Sequence, residues 1–362
     1  ETPQLFSVLF GLWLVYLQRA DLQAARALAE QLLRLAQNGQ DSSLLLLAHF
    51  TVGDVLNWLG ELLPARKHLE QGIALYNRHS HRSLAFLYGI DPGVYCLSQV
   101  VWDLWPLGYP DQALKSGQEA ISLAQELSHP HSLVFALNFT AIAHLLRGEV
   151  RAAQERAEAV IALATEQGFP FWVAFGTSLR GWALAAQGQV EEGIAQLQQG
   201  LAALRATGSE LLRPWLLAPL AEAYGKKGQP EEGLRVVAEA LLAVRKSQVC
   251  LYEAELLRLK GELTLQRQSG VRSPQPPTPS TQAEAEAWFL KAIEVARHQQ
   301  AKSLELRAAM SLSRLWQQQG KRKEAHQMLV EIYDWFTEGF DTKDLQETKA
   351  LLEELEKADA DL

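Results

Sequence analysis

The sequence predicts an all-α protein, a right-handed superhelical solenoid of about eight antiparallel helix hairpins in repeats of about 40 residues, closed by a C-terminal capping helix. Three observations carry that expectation. Gly108, Gly148, Gly188 and Gly228 recur at a step of 40 residues, each opening a short polar turn after an apolar run. A small residue follows five positions later, at Ala113, Ala153, Gly193 and Gly233. No stretch shows sustained period-2 alternation bounded by turn signals, so no sheet is expected.

The series extends in both directions. Ala20 and Gly60 stand one step apart, and 48 residues separate Gly60 from Gly108. Gly320 lies 92 residues beyond Gly228, two steps plus 12. Positions 20 to 320 are therefore seven steps of 40 with insertions of 8 and 12 residues. The first insertion falls within Asn77 to Gly93. The second is the loop 269–281 (SGVRSPQPPTPST), too rich in Pro and Ser for a helix and inserted within the seventh hairpin.

Within each unit the small position reads Ala25, Ala65, Ala113, Ala153, Gly193, Gly233 and Ala325, and the position four later Ala29, Leu69, Gly117, Ala157, Leu197, Val237 and Leu329. Small side chains there let the second helix of a hairpin approach its partner. After the loop the register returns as Ala285, Phe289 and Ala292, and Gly53, Gly181 and Gly261 share a place midway along the first helix. Pro92, Pro130, Pro170 and Pro214 open first helices, where the missing N–H costs nothing, and Asp91 is placed to cap one of them. Pro64, Pro110 and Pro230 are assigned to turns between paired helices. This spacing of small and large residues matches tetratricopeptide repeats, with a departure in length from their usual 34 or so residues.

The domain reading is a solenoid over 1–340 and a capping helix with acidic tail over 341–362. Leu345, Leu351, Leu352 and Leu355 give the cap an apolar face. Eight acids and three lysines in those last 22 residues hold −5 of the formal −8, leaving the body near neutral. At the other end, apolar Leu5 to Leu17 has no cap, and Glu1 stands where a start Met would. The chain is expected to be a piece of a longer polypeptide, with its first unit packed on a preceding segment. Leu5 to Leu17, 13 residues, is too short to span a bilayer and lacks the flanks of a signal peptide.

Composition then narrows function. A chain that is 48% hydrophobic has ample core, and 34 basic against 42 acidic residues argue against nucleic-acid binding. Two cysteines fit a reducing, cytoplasmic setting. There is no phosphate loop (Tyr224-Gly-Lys-Lys-Gly228 lacks its first glycine and its hydroxyl), no nucleophile elbow, no His-Glu-x-x-His and no Cys-x-x-Cys. No catalytic residue, cofactor or metal is expected. Cys96 reads as a buried small hydrophobe. His79 and His81, and His129 and His131, lie in connections between hairpins and read as solvated turn residues rather than metal ligands.

What remains is the concave face that first helices line in such a stack. The tetratricopeptide register places Tyr95, Ser98, Trp102 and Trp105 there from the third unit. The fourth contributes Phe135, Asn138 and Ile142, the fifth Phe175, Ser178 and Trp182, and the sixth Trp215, Ala218 and Glu222. One column is aromatic (Tyr95, Phe135, Phe175, Trp215) and another short and polar (Ser98, Asn138, Ser178), suited to holding apolar side chains and a peptide backbone. The competing reading makes the aromatic column core. Charged residues take over at the ends: Asp54, then Arg258, Glu262, Arg307 and Arg314. An apolar centre with charged ends suits an amphipathic helix or extended segment.

Several segments resemble one bacterial family: Asp91-Pro-Gly-Val-Tyr-Cys-Leu-Ser98, Gly108-Tyr-Pro-Asp-Gln-Ala-Leu114, Ala164-Thr-Glu-Gln-Gly-Phe-Pro170, Tyr252-Glu-Ala-Glu-Leu-Leu-Arg-Leu-Lys-Gly-Glu-Leu263, Ala301-Lys-Ser-Leu-Glu-Leu-Arg307 and Trp335-Phe-Thr-Glu-Gly-Phe-Asp-Thr-Lys-Asp-Leu345. Its members are large signalling proteins with a class III adenylate/guanylate cyclase domain, a signal-transduction ATPase domain of the STAND/AAA type and a long tetratricopeptide tail. The resemblance covers only the tail. It implies a non-enzymatic sensor or scaffold arm that binds a protein or peptide segment, with the ATPase or cyclase domains of the same polypeptide as a candidate partner. Self-association and a small-molecule receptor in the aromatic groove are the alternatives. Neither nucleic acid nor membrane is expected as a partner.

Overall fold

The computed structural model describes residues 2–39, 41–267 and 277–360, and every regular element among them is a helix. They pair as eight antiparallel hairpins. The first two are α1 (Thr2–Gln18) with α2 (Leu22–Gly39) and α3 (Ser42–Trp58) with α4 (Leu62–Leu75). Two short helices follow, α5 (Arg78–His81) and α6 (Leu84–Tyr88), which are the first insertion. In the third hairpin the first helix is broken into α7 (Pro92–Gln99) and α8 (Val101–Leu104) and returns as α9 (Pro110–Leu127). The next three are α10 (Pro130–Arg147) with α11 (Val150–Gln167), α12 (Pro170–Ala186) with α13 (Val190–Ala206), and α14 (Arg213–Lys226) with α15 (Pro230–Ser247). The last two are α16 (Glu253–Arg267) with α17 (Pro279–Gln299) and α18 (Lys302–Gln318) with α19 (Arg322–Tyr333), followed by α20 (Lys343–Ala360).

The 40-residue step has a backbone cause. Gly60, Gly108, Gly148, Gly188, Gly228 and Gly320 all have φ between +74° and +93°, the left-handed conformation that ends a helix and that glycine adopts without strain. Ala20 takes the same place at φ +58°. Pro64, in the first turn of α4, is not a turn residue as the sequence suggested, and neither are Pro110 and Pro230. They occupy the first turn of α9 and α15, where proline's fixed φ is already helical. The helix α17 likewise starts at Pro279, capped by Thr278, whose Oγ1 accepts from the Thr281 amide at 3.3 Å. Residues 279–281 are therefore helical rather than loop, and of the remainder 269–276 lies outside the described residues.

First and second helices bury different faces. Second helices show one stripe, as in α11 with Ala153, Ala157, Val160 and Ala164 at the i, i+4, i+7 spacing of an amphipathic helix. First helices are buried nearly all round, as in α10 from Val134 to Arg147. The helices α12 and α13 approach closely, and a Cβ on Gly200 would stand 2.0 Å from Ser178 Oγ and 2.8 Å from the Ala174 carbonyl. On α20, Leu345, Leu351, Leu352 and Leu355 are buried against the preceding hairpins.

The superhelix winds tightly enough for its turns to touch, at a regular interval. Gln18, at the end of α1, accepts from the Glu210 amide (2.9 Å) and from Ser209 Oγ (2.8 Å). The Trp58 carbonyl, at the end of α3, accepts from the Cys250 amide (2.8 Å). Past α8, the Trp105 and Pro106 carbonyls accept from Ser303 Oγ (2.6 Å) and its amide (3.0 Å). Past α10, Arg147 Nη2 reaches Asp341 at 2.9 Å. Each contact joins the end of one first helix to the start of the first helix five places on or the connection leading into it, with α20 as the ninth.

Candidate functional site

Turn-on-turn contact decides what becomes of the expected groove. Tyr95, Ser98, Trp102, Trp105, Phe135, Asn138, Ile142, Phe175, Ser178, Trp182 and Trp215 are all 8% exposed or less. This corrects the expectation of an open docking face. Trp102 of the third hairpin packs against Trp215 of the sixth, centroids 4.7 Å apart, and Trp215 in turn against Trp182 at 5.4 Å. Phe50, Tyr95, Phe135 and Trp172 form a continuous ladder at 3.6, 4.8 and 5.3 Å. Trp105 carries the Arg307 guanidinium on its ring, 4.6 Å from the centroid. The aromatic column fills the interior between successive turns, and the burial of such rings stabilises that closure.

Polar groups are trapped among these rings. Asp54, 1% exposed, accepts from Trp58 Nε1 (2.9 Å), Gln99 Nε2 and Tyr95 OH. Burial pushes its carboxyl up to about 7, against the opposing pull of those three donors. Asp103 accepts from Asn57 Nδ2 at 2.6 Å, and burial holds it far above the carboxylate range. Ser98 Oγ and both amide atoms of Asn138 are buried without a hydrogen-bond partner.

The interior opens at the C-terminal half. A cavity of about 310 Å³ is enclosed by the ends of α10, α12 and α14, by α16 and α18, and by the start of α20. Leu145, Val150, Trp182, Ala186 and Met310 form an apolar wall, and Trp182 is the one member of the expected groove set that lines it. The rest is charged: Glu222, Lys226, Glu255, Arg258, Arg307, Arg314, Lys343, Asp344 and Glu347. The sequence register had already placed Glu222, Arg258, Arg307 and Arg314 on this face, and the structure brings them together. It missed Glu255, whose role shows only in its partners.

Arg307 is the hub. Its Nε donates to Asp344 Oδ2 at 2.7 Å, Nη2 to the Leu146 carbonyl at 3.3 Å and Nη1 to Tyr252 OH at 3.4 Å, with Glu255 3.8 Å away. Burial alone would lower its pKa, but Asp344, Tyr252 and Glu255 outweigh it and raise the pKa above the ordinary value. Arg258 forks onto Glu255 at 2.7 and 2.8 Å, with Glu262 3.6 Å behind. Glu222 accepts from Lys226 at 2.8 Å. Burial would raise its pKa, but Lys226 and Arg258 bring it below the usual glutamate value, so it stays ionised.

The connection between α19 and α20, which leads into the helix whose start lines this site, is pinned to α9. Glu338 Oε1 accepts from the Asp111 and Gln112 amides at 2.9 and 3.0 Å, capping the open N-terminus of α9. The Gly339 amide donates to Asp111 Oδ2 at 3.0 Å. The segment quoted above from Trp335 to Leu345 is thus a clasp across two turns of the superhelix.

His49 and His68 pair through their Nδ1 atoms at 2.9 Å, whereas His81, His129 and His131 are engaged singly, and His81 is buried rather than the solvated turn residue the sequence suggested. His81 Nδ1 accepts from the Asn77 amide at 3.0 Å, His129 caps α10, and His131 accepts from Trp172 Nε1 at 2.9 Å. Among the described residues no group of three or more His, Cys, Asp or Glu is placed to hold a metal, and no helix is long and apolar enough to cross a membrane. Cys96 is buried, and burial raises its thiol well above the ordinary range.

No family model matches the chain. An uncharacterized protein of Rhizobium meliloti (strain 1021) is 24% identical over 317 residues, 87% of this chain and 29% of the relative. The chain thus spans under a third of that relative's length. Among solved structures, a Rap protein complexed with competence and sporulation factor is similar at a TM-score of 0.56 and 10% identity, over 97% of this chain and 99% of that one. NprR in complex with its cognate peptide NprX is similar at 0.55 and 12%, over 96% and 81%. A STAND protein with a tetratricopeptide repeat sensor from Pyrococcus horikoshii follows at 0.49 and 13%, over 98% and 50%. The chain has the fold of a tetratricopeptide-like helical repeat solenoid.

Proposed function

We propose that this chain is a non-enzymatic interaction module, the sensor or scaffold arm of a larger bacterial signalling polypeptide in the cytoplasm, and that its partner segment enters the charged cavity rather than an open aromatic groove. The observation that carries this reading is that cavity. It lies on the face that the first helices line, and its walls combine apolar surface with unevenly paired charges, the mixture that orients a peptide. Rap and NprR were solved with a factor and a peptide bound, which supports the reading by analogy of fold. The resemblance of the quoted segments to cyclase–ATPase tails supplies the setting, and regulation of such head domains is the role it suggests.

The test is selection of peptide ligands from a random display library on the intact chain, followed by affinity measurement on the Arg314→Glu variant. Ligands of the proposed site lose about tenfold or more when a rim cation is reversed. Ligands that bind the variant equally well place recognition elsewhere.

A second reading has one specific observation in its favour. Leu5, Val8, Leu12, Leu14 and Val15 on α1 are between 42% and 60% exposed, an apolar face of the kind that pairs between copies. Light scattering over a concentration series, with Val8→Glu as control, separates self-association from a monomer.

A further inference from the structure

The charges around the cavity are sorted by depth. On the inner wall stand two arginines, Arg258 and Arg307, and three carboxylates, Glu222, Glu255 and Asp344, with Glu262 directly behind Arg258. Their side chains are between 5% and 35% exposed. At the rim stand Lys226, Arg314 and Lys343, 39% to 66% exposed, with one carboxylate, Glu347. The inner wall is net negative and the rim net positive.

Hydrogen-bond capacity follows the same order. The inner arginines are committed: Arg258 to Glu255, Arg307 to Asp344, Tyr252 and the Leu146 carbonyl. They have little left to offer an incoming anion. Glu222 is less used, being paired only with the rim residue Lys226. A carboxylate has room for roughly four hydrogen bonds, so Glu222 presents spare acceptors on the inner wall. At the rim the spare groups are donors, since three cations share Glu222 and Glu347.

Size limits the occupant. About 310 Å³ lies at the small end of ligand sites. A helix of about 10–12 Å diameter does not enter, so the amphipathic-helix ligand suggested by the sequence is set aside in favour of a chain end.

We propose that the cavity receives the free amino end of a short peptide, its ammonium against Glu222 and its nearest carboxylate at the rim beside Arg314 and Lys343. An ammonium carries three donors and no acceptor, the complement of the inner wall. A carboxylate finds the opposite complement at the rim, and the apolar wall with Trp182 and Met310 takes the first side chains. This inference rests on the reading of the cavity as the partner site and adds the polarity of the ligand.

The test uses trialanine as the probe, titrated calorimetrically into the intact chain alongside N-acetyl-trialanine, trialanine amide and 1,5-diaminopentane. Trialanine is expected to bind, acetylation to weaken it by about tenfold or more, and amidation by about threefold, since a buried charge-assisted bond is worth more than an exposed one. Glu222→Gln should reproduce the acetylation loss for trialanine and leave the acetylated peptide unaffected. If that variant has an altered melting temperature, the free and acetylated peptides compared on the unaltered chain still decide the matter. Acetylated peptide binding as tightly as free peptide overturns the proposal, and so does diaminopentane matching trialanine, which would make the ligand an amine without a peptide. If no probe binds while library-selected ligands remain sensitive to Arg314→Glu, the amino-end inference falls and the cavity reading stands. If those ligands are insensitive, both fall.

Discussion

Arg147 Nη2 donates to both carboxylate oxygens of Asp341, at 2.9 and 3.0 Å, across 194 residues of sequence. The same guanidinium meets Glu149 through Nε at 2.7 Å and Asp111 through Nη1, and its side chain is 4% exposed. One buried cation therefore bridges three carboxylates from three separate elements, and the clasp depends on it. Arg147→Ala should cost about 2 kcal/mol, below the usual figure for breaking a buried pair because Asp341 and Asp111 keep contact with water. The sharper readout is amide hydrogen exchange. Residues 335–345 and the first turns of α20 should lose protection while α1 to α4 keep theirs. Uniform loss across the chain would mean that Arg147 supports the whole solenoid rather than the clasp.

Gly339 sits at φ +76° in the clasp, and a Cβ there would stand 2.2 Å from Pro110 Cγ. Gly188 has a similar φ of +92° with open space around its missing Cβ. Gly188→Ala should cost about 1–2 kcal/mol, the strain of a left-handed alanine. Gly339→Ala adds a steric clash with a ring that cannot swing away, and should cost at least about 1 kcal/mol more. Urea midpoints of the two variants measure the difference. Equal midpoints would show that the clasp yields without cost.

Asp54 makes stability depend on pH. Its folded pKa of about 7 lies above the unfolded value, so the folded state holds a proton that the unfolded state releases. That contribution is full below about pH 4 and is lost as pH rises through 7, a change of up to roughly 3–4 kcal/mol. Asp103 shifts in the same direction and adds to the slope. Chemical denaturation at pH 5 and pH 8 should therefore show the chain less stable at pH 8 from these groups. Asp54→Asn should flatten the difference while lowering stability at pH 5, because the amide NH2 would face donors that the acid's oxygens accept from. An unchanged slope in the variant would assign the pH dependence to other groups.

The repeat was legible because its left-handed turn residue is glycine at six of the observed positions. A companion series in the other connections, Ser128, Gly168, Gly208 and Gln248, is equally regular and equally left-handed, yet half of it is not glycine, so no pattern of letters announces it. The inward direction of Trp102 and Trp215 could be read from register, since it follows from helical periodicity. Their burial could not. It depends on the pitch of the superhelix, which is set by contacts such as Ser209 with Gln18 across 191 residues, and no local signal encodes that distance. The cavity was half legible for the same reason: Glu222, Arg258 and Arg307 share the register of the groove, whereas Lys343 and Asp344 reach it only because the clasp folds back.

Asn138 offers the most direct probe of what the interior is built for. Its side chain is fully buried on α10, with neither amide atom hydrogen-bonded, in register with Ser98, whose hydroxyl is also unpartnered. An unsatisfied buried amide costs about 1–3 kcal/mol, and replacing it with an apolar group of the same shape recovers much of that. Asn138→Leu, nearly isosteric, should therefore raise the thermal midpoint, while Asn138→Ala should gain less because it leaves a void in a fully buried position. The two variants are read together by scanning calorimetry. A gain for leucine means that the closed interior tolerates a polar group it does not use for stability, as expected of a residue retained for another state of the chain. A loss for both would show that the amide is paired in solution, and the interior would then be an ordinary satisfied core.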